Sequence, residues 1–248
     1  LIQVIGLRGM PLVKPGDDLA KMIVEATRRS NVALEHGDVI VVAQKVVSKA
    51  ENRLVPLADV APSPFAAQVA AAEGKDPRHI ELVLRESRRA LRIKDGHLIM
   101  ETKHGFVCAN AGVDLSNVSG GEVASLLPED PDGSAARIRE GIRALSGVDV
   151  GVIISDTFGR AWRMGQVDVA VGVAGVRPIR DYRGEKDMLG YVLKVTAIAV
   201  ADELAGAAEL VMGKSDGVPV AIVRGCALVP GEGSAKELVR PIEKDLFR

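Results

Sequence analysis

Two aspartates stand in polar clusters that directly follow apolar runs: Asp114 within residues 110–117, and Asp156 within residues 155–160. In α/β folds the ends of apolar strands are where functional groups are usually exposed. A carboxylate beside hydroxyl and amide oxygens offers the donors that a hard cation such as Mg²⁺ or Mn²⁺ requires, and Thr157 completes the second group. Arg160 and Arg163 follow closely and could meet anionic oxygens bidentately. An aspartate before a hydroxyl residue is also an ordinary turn or helix cap, and two arginines are also an ordinary solvated surface. The spacing alone leaves both readings open.

Phosphate binding calls for glycines, backbone amides and a lysine, which directs attention to Met212-Gly213-Lys214-Ser215-Asp216-Gly217. A P-loop is excluded, because Ala208 occupies the position of its first glycine and residues 201–212 read as a helix rather than a strand entering a loop. What remains is a phosphate- or base-binding loop of another kind, or a helix C-cap at Gly213 followed by a turn. Lys49, after a buried strand, could place an ammonium on a phosphate or simply carry a solvated charge. No nucleophile elbow, zinc-protease helix, kinase signature or dinucleotide fingerprint is present. His36, His79, His97 and His104 are scattered and read as turn or surface residues.

The elements that must position these groups are legible from periodicity. Residues 2–7 read as a strand, and a helix capped by Asp17 or Asp18 runs to about Arg29 on the spacing of Leu19, Met22, Ile23 and Ala26. The continuous β-branched run Val39-Ile40-Val41-Val42 predicts a strand buried on both faces, which delivers Gln44 to Lys49 at its end. Helices are expected over 64–73 and 77–89, followed by a hairpin of 97–102 with 106–109 around His104-Gly105. Asp130-Pro131 opens a helix to about Leu145, and residues 148–154 form an apolar strand. Beyond it come an apolar run over 167–176, a strand or helix over 191–199, a helix over 201–212 and a last strand over 219–223. No internal repeat or linker composition interrupts the 248 residues, so any two lobes should be interleaved rather than beaded.

Apolar residues make up 47% of the chain and aromatic residues only 3%, so its core must be built of Val, Ala, Leu and Ile. With 32 basic and 33 acidic side chains there is no general electrostatic pull toward nucleic acid or an anionic membrane, and any anion site must be local. Cys108 and Cys226 form neither a CxxC nor a Cys/His pattern, which argues against a disulfide framework or zinc and for a reducing, cytoplasmic setting. Apolar runs fall well short of the roughly 20 residues of a membrane span. With Leu1 in place of Met, the numbering is expected to omit an initiator or a few residues.

As an ordered set, these pieces resemble the coenzyme F(420)-0:gamma-glutamyl ligase family over essentially the whole chain. The resemblance is carried by Gly9-Met10-Pro11-Leu12 with Pro15-Gly16-Asp17-Asp18, by Gly37-Asp38-Val39 through Val47-Ser48-Lys49-Ala50-Glu51, and by Asn110-Ala111-Gly112-Val113-Asp114 with Ser116-Asn117. Leu127-Pro128 with Asp130-Pro131-Asp132-Gly133-Ser134-Ala135, Ser155-Asp156-Thr157 with Gly159-Arg160, Val200-Ala201-Asp202-Glu203 and Val223-Arg224-Gly225 complete it. What it implies is an α+β fold with mixed sheets and interleaved subdomains, a single ligase domain over 1–248, and an intertwined homodimer. The flavin-reductase-like extension of some bacterial relatives is not expected.

The resemblance also implies GTP as co-substrate, a divalent metal (Mg²⁺ or Mn²⁺) and a monovalent cation, with L-glutamate and coenzyme F(420)-0 as the molecules joined. Met10, Pro11, Leu12 and Val13 match a first nucleotide-contacting loop, Gln44 and Lys45 a second pair, and Lys49 and Asn117 further nucleotide contacts. Asp114 and Asp156 match ligands of one divalent cation and Thr157 a position contributing to a second, and Asp114, Asp156 and Lys49 are the catalytic candidates. Met212, Gly213, Lys214, Ser215, Asp216, Gly217 and Val218 correspond to the late nucleotide-binding stretch. The chain departs from the family pattern at Gln44 and Lys45, where small hydroxyl residues are common, and at Lys214, where an acidic or amide metal ligand is expected. The implied reaction moves the GTP γ-phosphoryl onto a carboxylate, and the glutamate amine then displaces phosphate from the acyl phosphate. A metal-dependent phosphotransferase or phosphohydrolase on a nucleotide is the alternative enzyme, and a nucleotide-binding module without turnover the non-enzymatic one.

Overall fold

The computed structural model describes residues 1–115, 121–227 and 231–246. Its central element is β2 (Val39–Ala43), whose β-branched run is buried along its first four residues. Such a strand needs partners on both edges and apolar layers on both faces. β12 (Val220–Arg224) pairs with it antiparallel and β8 (Gly151–Arg160) parallel, and β1 (Gln3–Gly6) and β9 (Arg163–Ala174) close a five-stranded sheet in the order β1-β12-β2-β8-β9.

Helices cover this sheet where local signals start and stop them. In α1 (Leu19–Arg29) the Asp18 carboxylate accepts from the Lys21 N–H at 3.1 Å, and Arg28 and Arg29 occupy the last turn, where the dipole favours cations. α5 (Pro131–Ser146) begins with Asp130 as cap and Pro131 in the first turn, and ends on Gly147 at φ 72. Its first turn rests on β9 at Gly172, where a Cβ would lie 2.5 Å from the Pro131 carbonyl oxygen. Asp132 fixes that contact by accepting from the Val173 N–H at 2.8 Å. α6 (Val200–Met212) packs against β9, β1 and β12.

A second apolar core, built on Leu57, Ile80, Leu98, Met100 and Leu126, lies in the stretch between α2 (Gln44–Ala50) and α5. It comprises β3 (Leu54–Pro56), α3 (Pro64–Glu73), α4 (Pro77–Arg85), β4 (Ser87–Lys94), β5 (His97–Thr102), β6 (Val107–Ala109) and β7 (Val123–Ser125). β4, β5 and β6 form an antiparallel sheet, and β3 pairs with β7. The architecture is thus α+β with mixed and antiparallel sheets. Among the described residues no helix is long and apolar enough to cross a membrane.

Three expectations need correction. The helix predicted over 77–89 stops at Arg85, and Ser87 starts β4, because β5 offers an antiparallel partner to residues 87–94 across two irregularities of register. The polar cluster 155–160 lies inside β8 rather than after it, since the hairpin with β9 supplies its backbone partners beyond a bulge at Ile154/Ser155. Residues 191–199 form no continuous element: Val192 makes a single antiparallel bridge with Lys186, and the two-residue β11 (Ala197–Ile198) pairs with β10 (Arg180–Asp181).

Candidate active site

Along β8, side chains alternate between faces, so Asp156 and Phe158 share one face while Thr157 points to the other. The structure therefore divides the predicted metal set into two clusters on opposite sides of one strand. On the first side, Asp156 keeps some contact with solvent, but protein encloses its carboxyl at longer range. Burial, reinforced by the negative charges of Asp168 and Asp114, pushes its pKa up to about 7, against the Thr157 N–H and the Lys45 charge, which favour the ionised form.

Asp114 is delivered to this side by a tight turn. Asn110, Ala111 and Gly112 have successive left-handed φ values of 53, 52 and 73°, and the Val113 N–H closes on the Asn110 carbonyl at 2.9 Å. Glycine is required at 112, where a Cβ would stand 2.7 Å from Leu127 Cγ. The Asp114 and Ser125 backbones then exchange hydrogen bonds of 3.0 and 2.8 Å, fixing the turn onto the end of β7. Lys45, in the first turn of α2, brings its Nζ to 2.6 Å from Asp114 Oδ2. Lys49 stands one turn further along α2, and burial and the Lys45 charge hold its pKa below the usual lysine value. The two ammoniums share one helix face, with Lys45 paired to Asp114.

The second cluster joins Asp168 and Glu209 to the predicted Thr157 and Lys214. Asp168, on β9 and only 4% exposed, accepts from Thr157 Oγ at 2.7 Å and from Ser155 Oγ at 3.0 Å. Lys214 Nζ lies 2.9 Å from Asp168 Oδ1, 2.6 Å from Thr157 Oγ1 and 2.8 Å from Glu209 Oε1 of α6. A sequence signal existed for Asp168, the one charge in the run Val167-Asp168-Val169-Ala170-Val171. Nothing local marked Glu209.

The other predicted residues are placed unevenly. Met10 to Val13 form the loop between β1 and α1, in which Met10 and Val13 pack on the core and Leu12 is exposed, and the Gly16 N–H ties the loop to the Ala50 carbonyl at 2.8 Å. Gln44 is turned inward, its amide spent on Ser48 Oγ and the Leu126 carbonyl, so its side chain braces α2 against the stretch after β7 instead of facing a ligand. Met212 and Val218 are buried, and Gly213, Lys214, Ser215, Asp216 and Gly217 form an exposed loop between them. Asn117 lies outside the described residues. Arg160 closes the tip of the β8–β9 hairpin by donating to the Met164 carbonyl at 2.7 Å, and Arg163 is exposed there. A cavity of about 500 Å³ has Arg53, Arg88 and Lys103 with Glu86, Glu129 and Asp132 in its wall, and none of the predicted site residues lines it; Phe106, also in that wall, meets Phe158 edge-on at 6.4 Å.

Among the described residues no group of three or more His, Cys, Asp or Glu side chains is placed to hold a metal ion. Asp114 and Asp156 nonetheless suit one divalent cation, because Mg²⁺ is commonly held by one or two carboxylates with substrate phosphates and water supplying the rest. Burial first, and the Asp168 and Asp114 charges after it, disfavour the ionised Asp156 carboxylate, and a cation bound there would favour it. Thr157 does not suit a second, since its hydroxyl is engaged by Asp168 and Lys214. Cys108 is buried, and burial and the Asp156 charge push its thiol up to about 12, which disfavours the thiolate form.

Fold and clusters together describe an α+β protein whose polar clusters, among the described residues, are built of carboxylates, hydroxyls and ammoniums. The model of the family described as F420-0:Gamma-glutamyl ligase matches residues 8–225. Among similar proteins, the Coenzyme F420:L-glutamate ligase of Methanothermobacter thermautotrophicus is 49% identical, covering 100% of this chain and 99% of its own. Those of Methanopyrus kandleri and Archaeoglobus fulgidus are 49% and 45% identical, covering 95% and 100% of this chain and 93% and 96% of theirs. The chain belongs to the F420-0:gamma-glutamyl ligase family and is an enzyme of the ligase class.

Proposed function

We propose that this protein is a GTP-dependent ligase that joins L-glutamate to the carboxylate of coenzyme F(420)-0 in an amide bond, a step of F420 biosynthesis. The observation that carries this reading is the Asp114 carboxylate, paired with Lys45 at 2.6 Å and close enough to Asp156 to act on its ionisation, with Lys49 one turn further along the same helix, within a chain whose relatives bear that ligase name. A carboxylate is a poor electrophile. Activation by GTP requires phosphate charge to be neutralised and reactants aligned, with no covalent protein nucleophile.

In this scheme the substrate carboxylate attacks the γ-phosphorus, GDP leaves, and an acyl phosphate forms. The glutamate amine then attacks the acyl carbon, loses a proton and expels inorganic phosphate. Lys49 would meet phosphate oxygens, Lys45 would join it once a metal displaces it from Asp114, and residues 10–13 and 212–218 would border the nucleotide. Asp114 and Asp156 would hold Mg²⁺ or Mn²⁺, whose contribution is Lewis-acid stabilisation of the phosphoryl oxygens.

An intertwined homodimer is part of the proposal. It is supported by the β8–β9 hairpin tip, where Trp162 is 80% and Met164 95% exposed, and by exposed Met188, Leu189 and Val195 in the segment after β10.

The test is incubation of purified protein with coenzyme F(420)-0, GTP, Mg²⁺ or Mn²⁺ and L-glutamate, with mass spectrometry of the product. A glutamyl adduct formed only with nucleotide and metal is expected. GDP without adduct would point to a phosphohydrolase, and nucleotide binding without turnover to a binding module.

A further inference from the structure

A lysine ammonium has three N–H donors, and at Lys214 all three have a protein oxygen: Thr157 Oγ1 at 2.6 Å, Glu209 Oε1 at 2.8 Å and Asp168 Oδ1 at 2.9 Å. Asp168 is buried, and its second oxygen is taken by the Ser155 hydroxyl at 3.0 Å, so the carboxylate is fully engaged. A buried carboxylate beside a second one demands a cation, and here the chain itself supplies it.

Local geometry brings the lysine there. Gly213 and Gly217 bracket it with φ values of 57 and 67°, and a Cβ on Gly213 would lie 2.5 Å from Asp216 Oδ2. The loop leaves α6 only four residues after Glu209 has supplied one of the three oxygens, so the ammonium is positioned by its own helix end.

We propose that the Lys214 ammonium is a tethered cation that holds the place of a divalent ion on the Thr157 face of β8. The 2.6–2.9 Å spacings suit N–H···O bonds, whereas Mg²⁺–oxygen distances are about 2.0–2.1 Å. A divalent ion could enter only by expelling the ammonium. With the lysine charge removed, Asp168, Glu209, Thr157 and Ser155 become a hard-oxygen set carrying two negative charges, which is the donor chemistry of a Mg²⁺ or Mn²⁺ site. The proposal uses the metal-dependent ligase reading for its context, but its test is a difference in metal count and does not depend on turnover.

Bound Mn²⁺ is counted by electron paramagnetic resonance, from loss of the free-ion signal, with a non-hydrolysable GTP analogue present. Lys214→Met is expected to bind one Mn²⁺ per chain more than the parent, Lys214→Arg the same number as the parent, and Lys214→Met with Asp168→Asn to lose the extra ion. Equal counts in the parent and Lys214→Met would overturn the proposal, as would an extra ion that survives Asp168→Asn. Should Lys214→Met fail to fold, Lys214→Gln, which keeps length and donors without charge, carries the same comparison. A parent that binds no Mn²⁺ while Lys214→Met binds one would refute the Asp114/Asp156 metal reading and still support this one.

Discussion

Consider Asp156→Asn in metal-free protein, without nucleotide. The Asp156 pKa is raised from 3.8 to about 7, so between those values the folded state holds a proton that the unfolded state has released. Stability is therefore greatest below about pH 4, falls as pH rises toward 7, and is flat above. At about 1.4 kcal/mol per pH unit the charged carboxylate costs at most about 4 kcal/mol, and the solvent contact that Asp156 keeps brings this nearer to about 2 kcal/mol. Asparagine has the same shape and no charge. The variant should equal the parent near pH 4 and exceed it by about 2 kcal/mol at pH 8, while losing metal-dependent ligation. Urea denaturation at a series of pH values in the presence of EDTA measures this, with the slope on denaturant unchanged. Parallel stability profiles for variant and parent across pH 4–8 would show that Asp156 is not held near neutrality.

Gly172→Ala should cost about 2–3 kcal/mol, because the new methyl group would lie 2.5 Å from the Pro131 carbonyl and push α5 off β9; a urea midpoint within error of the parent would contradict that packing. Arg224→Leu should cost about 3 kcal/mol, since it leaves Asp38, 1% exposed, without the guanidinium that meets both its oxygens at 2.8 Å. Adding Asp38→Asn should recover part of the loss, and strict additivity of the two would argue against the pairing. Lys49→Ala should weaken binding of a GTP analogue about tenfold, or about 1.4 kcal/mol, by calorimetry, and unchanged affinity would leave Lys49 an ordinary surface charge.

Much of the framework was legible because its signals are local. Asp18, Asp130 and Gly147 cap helices by bonding within a few residues, and four consecutive β-branched residues at 39–42 can only be a strand covered on both faces. The ordered motifs from Gly9 to Gly225 were enough to indicate the family that the match over residues 8–225 shows. Errors fell where partners distant in sequence decide: Arg88 and Arg89 leave the helical pattern because β5 offers a ladder, and residues 155–160 stay extended because β9 pairs with them.

The sequence by itself determined which residue types were available for charge chemistry, Asp114, Asp156, Thr157, Lys49 and Lys214 among them. Only the tertiary structure decided which of them share a surface. Strand alternation places Asp156 and Thr157 on opposite faces despite their adjacency, the β8–β9 pairing sets Asp168 opposite Thr157, and the helix end at Met212 carries Lys214 onto both. Electrostatic coupling depends on distance through the fold and not along the chain, so no spacing in the sequence could show that Lys214 and Glu209 complete the second cluster.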